Sequence, residues 1–293
     1  MAMLSVVIVS FNTRDLLRAC LRSLQKCEDC PPLEVFVVDN ASTDGSAAMV
    51  AGEFPWVQLI ESDENRGYAH ANNIALHRCS GEYWLLLNPD TELPPGALRE
   101  MVDLMDAHID VGVAGPKLVR QDGALDLACR RSFPSPEVSL YRMLGLSQLF
   151  PRSRRFGRYN LTYLDPDQPA EVDSVVGAFM MVRAAVAREV GVLDEAFFMY
   201  GEDLDWAFRI KRAGWKVLYN PAVVVLHHKG AASRHSRKAI VEFYRAMHIF
   251  YRKHYARGTN LLLGAAIVAA IWTKCAFSLA VNQLRPPEAR RVS

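Results

Sequence analysis

Three short runs, Val6-Val-Ile-Val9, Val35-Phe-Val-Val38 and residues 83–87, are apolar along their whole length, and residues 57–60 form a fourth strand-like stretch. A strand with one face in water alternates apolar and polar residues, whereas an uninterrupted apolar run suits a strand buried on both faces. Between the runs, Leu16, Leu17, Cys20, Leu21 and Leu24 recur at helical spacing and residues 69–78 read as another helix. Ser42-Thr-Asp-Gly45 looks like a helix start with Ser42 as its cap. Strands alternating with amphipathic helices specify an α/β fold, a mostly parallel sheet covered by helices and joined by right-handed crossovers. In such sheets ligands bind beyond the carboxyl ends of the strands. Those ends carry Asn12, Asp39 and Asp90 here, so three polar side chains are expected on one edge.

The pattern breaks down over residues 129–173. There Arg130-Arg-Ser-Phe-Pro134, Arg152-Ser-Arg-Arg155 and Asp165-Pro-Asp-Gln-Pro169 bracket one amphipathic stretch, residues 138–150. A long segment with little regular structure reads as a loop that flanks an active site or binds an acceptor. Regular signals return at residues 175–182, 184–190, 202–213 and 222–226. A chain of 293 residues can bury one large domain and carry an appendage, expected as 1–250 and 251–293. The appendage holds a nearly all-apolar stretch, residues 261–281, with Arg252, Lys253 and Arg257 before it and Arg285, Arg290 and Arg291 after it. That is long enough for a span of about 20 residues, but a lysine at the centre of a span costs roughly 2.5–3.5 kcal/mol. Lys274, Ser278 and Asn282 fall on one helical face, so the helix is expected to lie in a membrane interface. A helix docked on the core or in a dimer is the alternative. The sequence does not set the oligomeric state.

The formal net charge of +2 supplies no global field for nucleic acid, and none is expected as a partner. Cys27-Glu-Asp-Cys30 is a single CxxC without a second pair. A zinc site needs about four ligands, so reduced thiols are the expectation. Residues 1–11 are apolar but lack a basic n-region and a small-residue cleavage site, and are not read as a signal peptide. The catalytic part is therefore expected in the cytoplasm, peripheral at the cytoplasmic face of a membrane.

Asn88-Pro-Asp90-Thr-Glu92 follows a buried strand, where a carboxylate can hold Mg²⁺ or Mn²⁺ against a departing diphosphate; the same residues also make a simple turn. Neither GxxxxGK[ST] nor a GxGxxG after a strand competes for phosphate. Asp39, at a strand's carboxyl end, needs a partner that a ribose hydroxyl or a base N–H would supply. Gly201-Glu202-Asp203-Leu-Asp205-Trp-Ala-Phe-Arg209 puts three acids at a helix start, where the helix dipole favours them. Asp205 and Arg209, four apart, read as an ion pair. Glu202 and Asp203 follow the apolar Phe197-Phe-Met-Tyr200 at a glycine, where a carboxylate facing a cleft can accept a hydroxyl proton. His227-His228 ends a strand-like run and reads either as packed side chains or as the completion of a metal site with Asp90. No GxSxG nucleophile elbow is present.

Five motifs occur in order: Val9-Ser-Phe-Asn12, Val38-Asp-Asn-Ala-Ser-Thr-Asp-Gly45, Asn65-Arg-Gly-Tyr-Ala-His-Ala-Asn72, Leu87-Asn-Pro-Asp90, and Gly191-Val-Leu-Asp-Glu-Ala-Phe-Phe-Met-Tyr-Gly-Glu-Asp203 running on to Arg209. On these the chain resembles family 2 glycosyltransferases, in their rhamnosyltransferase-like branch, over roughly residues 4–250. The resemblance implies a GT-A fold, a nucleotide-diphosphate-sugar donor, inversion at the anomeric carbon, and a lipid-linked or surface-polysaccharide acceptor. It implies donor-nucleotide contacts at Ser10, Asn12, Asp39, Asp44, Arg66 and Asn88. It makes Asp90 the metal ligand of a DxD-type motif whose first acid is Asn88 here. His228, five residues before Ser233, stands as a further metal or diphosphate contact, and Asp203 as the base that activates the acceptor. The branch makes dTDP-rhamnose the first donor to expect. A nucleotidyltransferase is the enzymatic alternative; it needs a basic loop by the first strand, where only Arg14 lies. A non-catalytic, membrane-bound nucleotide-sugar-binding module is the other, against which intact Asp90 and Asp203 argue.

Overall fold

The computed structural model describes residues 3–228 and 236–284. In chain order it runs β1 (Leu4–Ser10), α1 (Arg14–Gln25), β2 (Leu33–Asp39), α2 (Ser46–Glu53), β3 (Gln58–Glu61), α3 (Tyr68–Leu76), β4 (Tyr83–Leu87), β5 (Thr91–Glu92), α4 (Ala97–Ala107) and β6 (Val111–Val119). It continues with α5 (Pro136–Met143), α6 (Leu146–Leu149), β7 (Ala170–Val172), β8 (Phe179–Arg183), α7 (Ala184–Val190), α8 (Glu202–Arg212), β9 (Lys216–His227), α9 (Arg237–His254) and α10 (Leu261–Gln283).

The apolar runs make the strands they predict. All residues of β1 and β4 are buried, as strands covered on both faces require. The sheet order is β3-β2-β1-β4-β8-β6-β9-β5, with β7 on β9. The first four strands are mutually parallel. Beyond them β8 is antiparallel to both neighbours, and β6 and β9 are parallel again. The sheet is therefore mixed, with its all-parallel part confined to the β3-β2-β1-β4 half. Chain order reverses around β1, which leaves a crevice at the carboxyl ends of β1, β2 and β4. In register, Ser10 lies beside Asp39 and Ile8 beside Leu87.

Several local expectations change. Ser42 is not the cap of α2: the helix begins after Gly45, in the left-handed region at φ 84°, and Asp44 Oδ1 accepts the Ser46 N–H at 3.0 Å. Ser42 Oγ instead accepts the Asn12 N–H at 2.9 Å. Cys27 and Cys30 form a disulfide, against the expectation of free thiols, while the other four cysteines are free and buried. The irregular segment contains α5, α6 and β7. Position 250 falls inside α9, whose Phe250 and Ala246 pack with Phe197 and Leu204 while its Tyr244 packs with Ile271 and Cys275 of α10.

α10 also differs in orientation from an interfacial helix with its polar face in water. Ser278 Oγ turns toward α9, 2.7 Å from the Tyr244 hydroxyl, and Asn282 is buried, while Lys274 of the same face stays exposed. The opposite face is apolar and open, with Leu261 and Leu262 more than four-fifths exposed, at 87% and 84%. The helix has 23 residues and a mean hydropathy of 1.8, which passes the length and composition test for a membrane span. Arg285, Arg290 and Arg291 lie outside the described residues.

Candidate active site

The crevice edge is built from strand ends and the turns that leave them. Asn12, at φ 53°, cross-braces two of these turns: its side-chain oxygen accepts the Thr43 N–H at 2.8 Å. Asp39 is 4% exposed; its Oδ2 accepts the Ser42 N–H at 2.9 Å, and its Oδ1 is buried with no partner. An unpaired buried carboxylate oxygen is costly, so this atom is the best local indication of a missing ligand N–H or hydroxyl. Asp44 braces the loop with both oxygens, accepting from the N–H groups of Arg14 and Ser46. Ser10 Oγ and Thr13 Oγ1 are 3.0 Å apart. Arg66 is largely exposed and comes within 3.8 Å of Glu64.

The third and fifth motifs touch through backbone. Gly67, at φ 100°, has no room for a Cβ, which would come within 2.4 Å of the Phe198 carbonyl oxygen; the next residue, Tyr68, donates its N–H to that oxygen at 2.6 Å. Glycine is needed at position 67 both for its φ and for the approach. Tyr68 then spans the site. Its hydroxyl donates to Asn88 Oδ1 at 3.0 Å and reaches the Gly177 carbonyl oxygen at 3.3 Å.

Asp203 lies on the far side of this bridge. The chain enters α8 through Tyr200 and Gly201, both left-handed at φ 68° and 83°. Asp203 Oδ2 accepts the Gly177 N–H at 2.9 Å and the Arg131 Nη2–H at 2.7 Å. Arg131 and Asp203 are both nearly fully buried, so this is an interior ion pair. A hydrogen-bonded chain thus runs from Asn88 through Tyr68 and Gly177 to Asp203 and Arg131. Arg131 has no helical or strand periodicity to announce it.

Glu202 is more than a first-turn acid. It is buried, its Oε2 has no partner, and burial, then the charge of Asp203, pushes its carboxyl up to about 8. A carboxyl raised in the folded state binds a proton that the unfolded chain has released, so stability falls as pH rises from the ordinary value of 4.5 through about 8. Glu202→Gln is neutral at every pH. It is expected to melt about 10 °C above wild type at pH 8 and level with it below pH 4.5. A difference independent of pH in thermal melts would remove this reading.

Asp205 pairs with Arg209 at 2.9 Å, as their spacing predicts. Lys253 and His254, from the end of α9, also reach Asp205 Oδ1, at 2.8 and 2.7 Å. Burial alone would raise its carboxyl; hydrogen bonds from His254 and Lys253 and the Arg209 charge outweigh this and hold it near 2.

The metal edge is arranged differently from the sequence expectation. Both ring nitrogens of His228 are occupied, Nε2 by Glu92 at 2.6 Å and Nδ1 by Gln121. His227 is the imidazole that faces Asp90, with Nε2 at 3.4 Å from Oδ1, while its Nδ1 lies 2.9 Å from buried Asp126. Burial opposes its charge, but hydrogen bonds to Asp126 and Asp90 prevail and raise it to about 9. Period-two alternation in β9 points His227 inward with Val223 and Val225, a signal present in the sequence; nothing there marks Asp126. Among the described residues no cluster of three or more His, Cys, Asp or Glu side chains could hold a metal. Asp90 supplies one carboxylate, and His227 can join it only as the neutral imidazole, so the protein offers two donors at most, which fits a cation bound jointly with substrate phosphates and water rather than in an all-protein cage. Ser233 lies outside the described residues.

Comparison with known proteins follows the same lines. The sequence profile of Glycosyl transferase family 2 matches residues 5–191, and that of Glycosyl transferase family group 2 matches residues 147–284. The chain is 29% identical to the N-acetylglucosaminyl-diphospho-decaprenol L-rhamnosyltransferase of Mycobacterium tuberculosis over 259 residues, 84% of this chain and 83% of that protein. It is 25% identical to the low-salt glycan biosynthesis hexosyltransferase Agl10 of Haloferax volcanii, over 77% of this chain and 67% of that protein. Among solved structures, the mannosyltransferase PcManGT of Pyrobaculum calidifontis, in complex with GDP-Man and Mn²⁺, superposes with a TM-score of 0.58 at 18% identity, over 97% of this chain and 76% of that one. S. aureus TarS gives 0.57 at 16% identity, over 92% of this chain and 43% of that longer one. With its mixed sheet, its crevice at the strand ends and a family profile over most of its length, the chain belongs to the family 2 glycosyltransferases and has their GT-A fold.

Proposed function

We propose that the chain moves L-rhamnose from dTDP-rhamnose, with inversion, to a lipid-linked acceptor of cell-surface polysaccharide at the cytoplasmic face of a membrane. The observation that carries this is the hydrogen-bonded chain from Asn88 through Tyr68 and Gly177 to Asp203, which puts a carboxylate on the same wall as the strand edge. The sugar and the lipid-linked acceptor rest on the name of the mycobacterial relative. The bilayer rests on the open apolar face of α10. We take the catalytic unit to run to the end of α9 and the appendage to be α10.

In this reading Asp39 Oδ1 accepts from the donor's base or ribose. Ser10, Asn12, Asp44 and Asn88 shape or line the nucleotide pocket, and exposed Arg66 swings onto the diphosphate. Asp90 would hold Mg²⁺ or Mn²⁺, joined by His227 as a neutral imidazole, while His228 stays tied to Glu92. A divalent cation there would neutralise charge on the departing diphosphate. Asp203 accepts the acceptor hydroxyl's proton as that oxygen bonds to the anomeric carbon, from the face opposite the breaking bond to the diphosphate. The products are the glycoside of inverted configuration and the nucleoside diphosphate. Arg131 and the Gly177 N–H fix the carboxylate throughout.

Incubation with a panel of nucleotide sugars, divalent metal and a polyprenyl-diphosphate sugar is expected to release nucleoside diphosphate from dTDP-rhamnose. The same donor at about 100 times its Kd should stabilise the protein by about 2.7 kcal/mol in thermal melts. Release from another donor alone would overturn the sugar. Inorganic diphosphate released from a nucleoside triphosphate and a sugar phosphate would indicate a nucleotidyltransferase instead.

A further inference from the structure

Residues 136–158 carry five arginines, at 142, 152, 154, 155 and 158, against one acid, Glu137. The segment is therefore +4 in a chain whose total is +2, and everything outside it is net acidic. Its apolar residues are not hidden. Leu140, Leu144, Leu149 and Phe150 are between 47% and 69% exposed. A merely solvated loop has no use for that combination, and exposed apolar side chains beside cations are the composition of interface-binding segments.

The segment is nonetheless ordered as one piece. Phe156 packs between Tyr141 and Phe150, with ring centroids at 4.9 and 5.6 Å, and Arg155 donates to the Tyr141 hydroxyl at 2.6 Å. Arg154, Arg155 and Arg158 line a cavity of about 380 Å³ beside Tyr141. Arg155 pairs with Glu137, and Arg158 is close enough to help lower that carboxyl without an ion-pair contact, whereas Arg152 and Arg154 have no ion pair among the described residues. The segment also lies near the end of α9, the helix on which the apolar α10 packs. Phe133, just before the Ser135 cap of α5, lies 6.5 Å from the ring of Phe250 on α9, and Arg158 is close enough for its charge to act on Tyr255, where α9 ends. Its two flanks are joined at the site: Arg131 and Ser174 exchange backbone hydrogen bonds at 2.9 and 3.0 Å, and Arg131 holds Asp203.

We propose that residues 136–158 are a second membrane-contact element, seating Leu140, Leu144, Leu149 and Phe150 among the headgroups of an anionic bilayer and setting Arg152, Arg154 and Arg158 on lipid phosphates. It rests on the reading above that the chain works at a bilayer. With α10 it makes two contacts around α9, which fixes how the mouth of the site faces the lipid.

The test uses the full chain on phosphatidylcholine vesicles with and without phosphatidylglycerol. Wild type is expected to bind the anionic vesicles more tightly, and the preference should vanish in about 1 M salt, where the Debye length is about 3 Å. Each arginine near an anionic surface is worth about fivefold in partitioning. The triple variant Arg152→Ala, Arg154→Ala, Arg158→Ala should therefore lose about 100-fold on anionic vesicles and nothing on neutral ones. The triple lysine variant should keep the preference. Unchanged binding of the alanine variant to anionic vesicles overturns the proposal, and so does an equal loss on both kinds. No binding of wild type to neutral vesicles sinks the α10 reading instead, and an anionic preference that persists would still support the second element.

Discussion

Asp203→Asn is expected to lower sugar transfer roughly 10²–10⁴-fold, the range associated with a general base, and to leave donor binding intact. The amide oxygen can keep both donors that meet Oδ2, Arg131 and the Gly177 N–H. Its NH₂ then sits where Oδ1 accepts the Leu204 N–H at 2.7 Å, a local cost that leaves the strand-edge nucleotide pocket untouched. The loss should therefore fall on kcat, with the donor's KM and its thermal shift near wild type. Initial-rate measurements over donor concentration separate the two. Transfer at the wild-type rate would show that Asp203 is not the base, and Glu202, next to it and unpartnered, would be the carboxyl to replace next.

Asp205→Asn should be the most destabilising change in α8. Asp205 is fully buried and meets two cations, Arg209 and Lys253, and the His254 imidazole. Removing one partner from a buried ionic cluster costs about 3–5 kcal/mol, which is about 10 °C in melting temperature for a domain of this size. The pH dependence follows from its direction. A carboxyl held near 2 in the fold contributes fully above the ordinary value of 3.8 and loses that contribution as pH falls from there toward about 2. Wild type should lose its advantage over the asparagine variant across that interval. Equal melting temperatures at neutral pH would show that the cluster contributes nothing net.

The sheet was legible because its strands are read by composition: an unbroken apolar run such as Leu85 to Leu87 has few other places to go. Strand ends pointed to Asn12, Asp39 and Asp90 without any tertiary information, whereas Asn88 came in only with the family resemblance. Arg131 and Asp126 were not legible, since each lies in irregular chain and matters only through a contact more than seventy residues away in sequence. In the histidine pair, alternation along β9 turns His227 inward toward Asp90, while His228 is held by Glu92 and Gln121. The helix dipole accounts for an acid at a surface helix end, but Glu202 is buried, and sequence spacing does not reveal that burial. Ser42 lost the capping role because its hydroxyl serves Asn12.

Lys253 and His254 sit at the last turn of α9, immediately before the apolar helix, and their grip on Asp205 lies two residues from Asp203. The base and the anchor thus share a foundation. Shortening the chain at residue 250 to gain solubility would take Lys253 and His254 with the tail and leave a buried carboxylate facing Arg209 alone. Any loss of activity in such a truncated protein would then report on that broken footing as much as on the missing membrane, and solubility would be better sought by polar substitutions on the open face of α10.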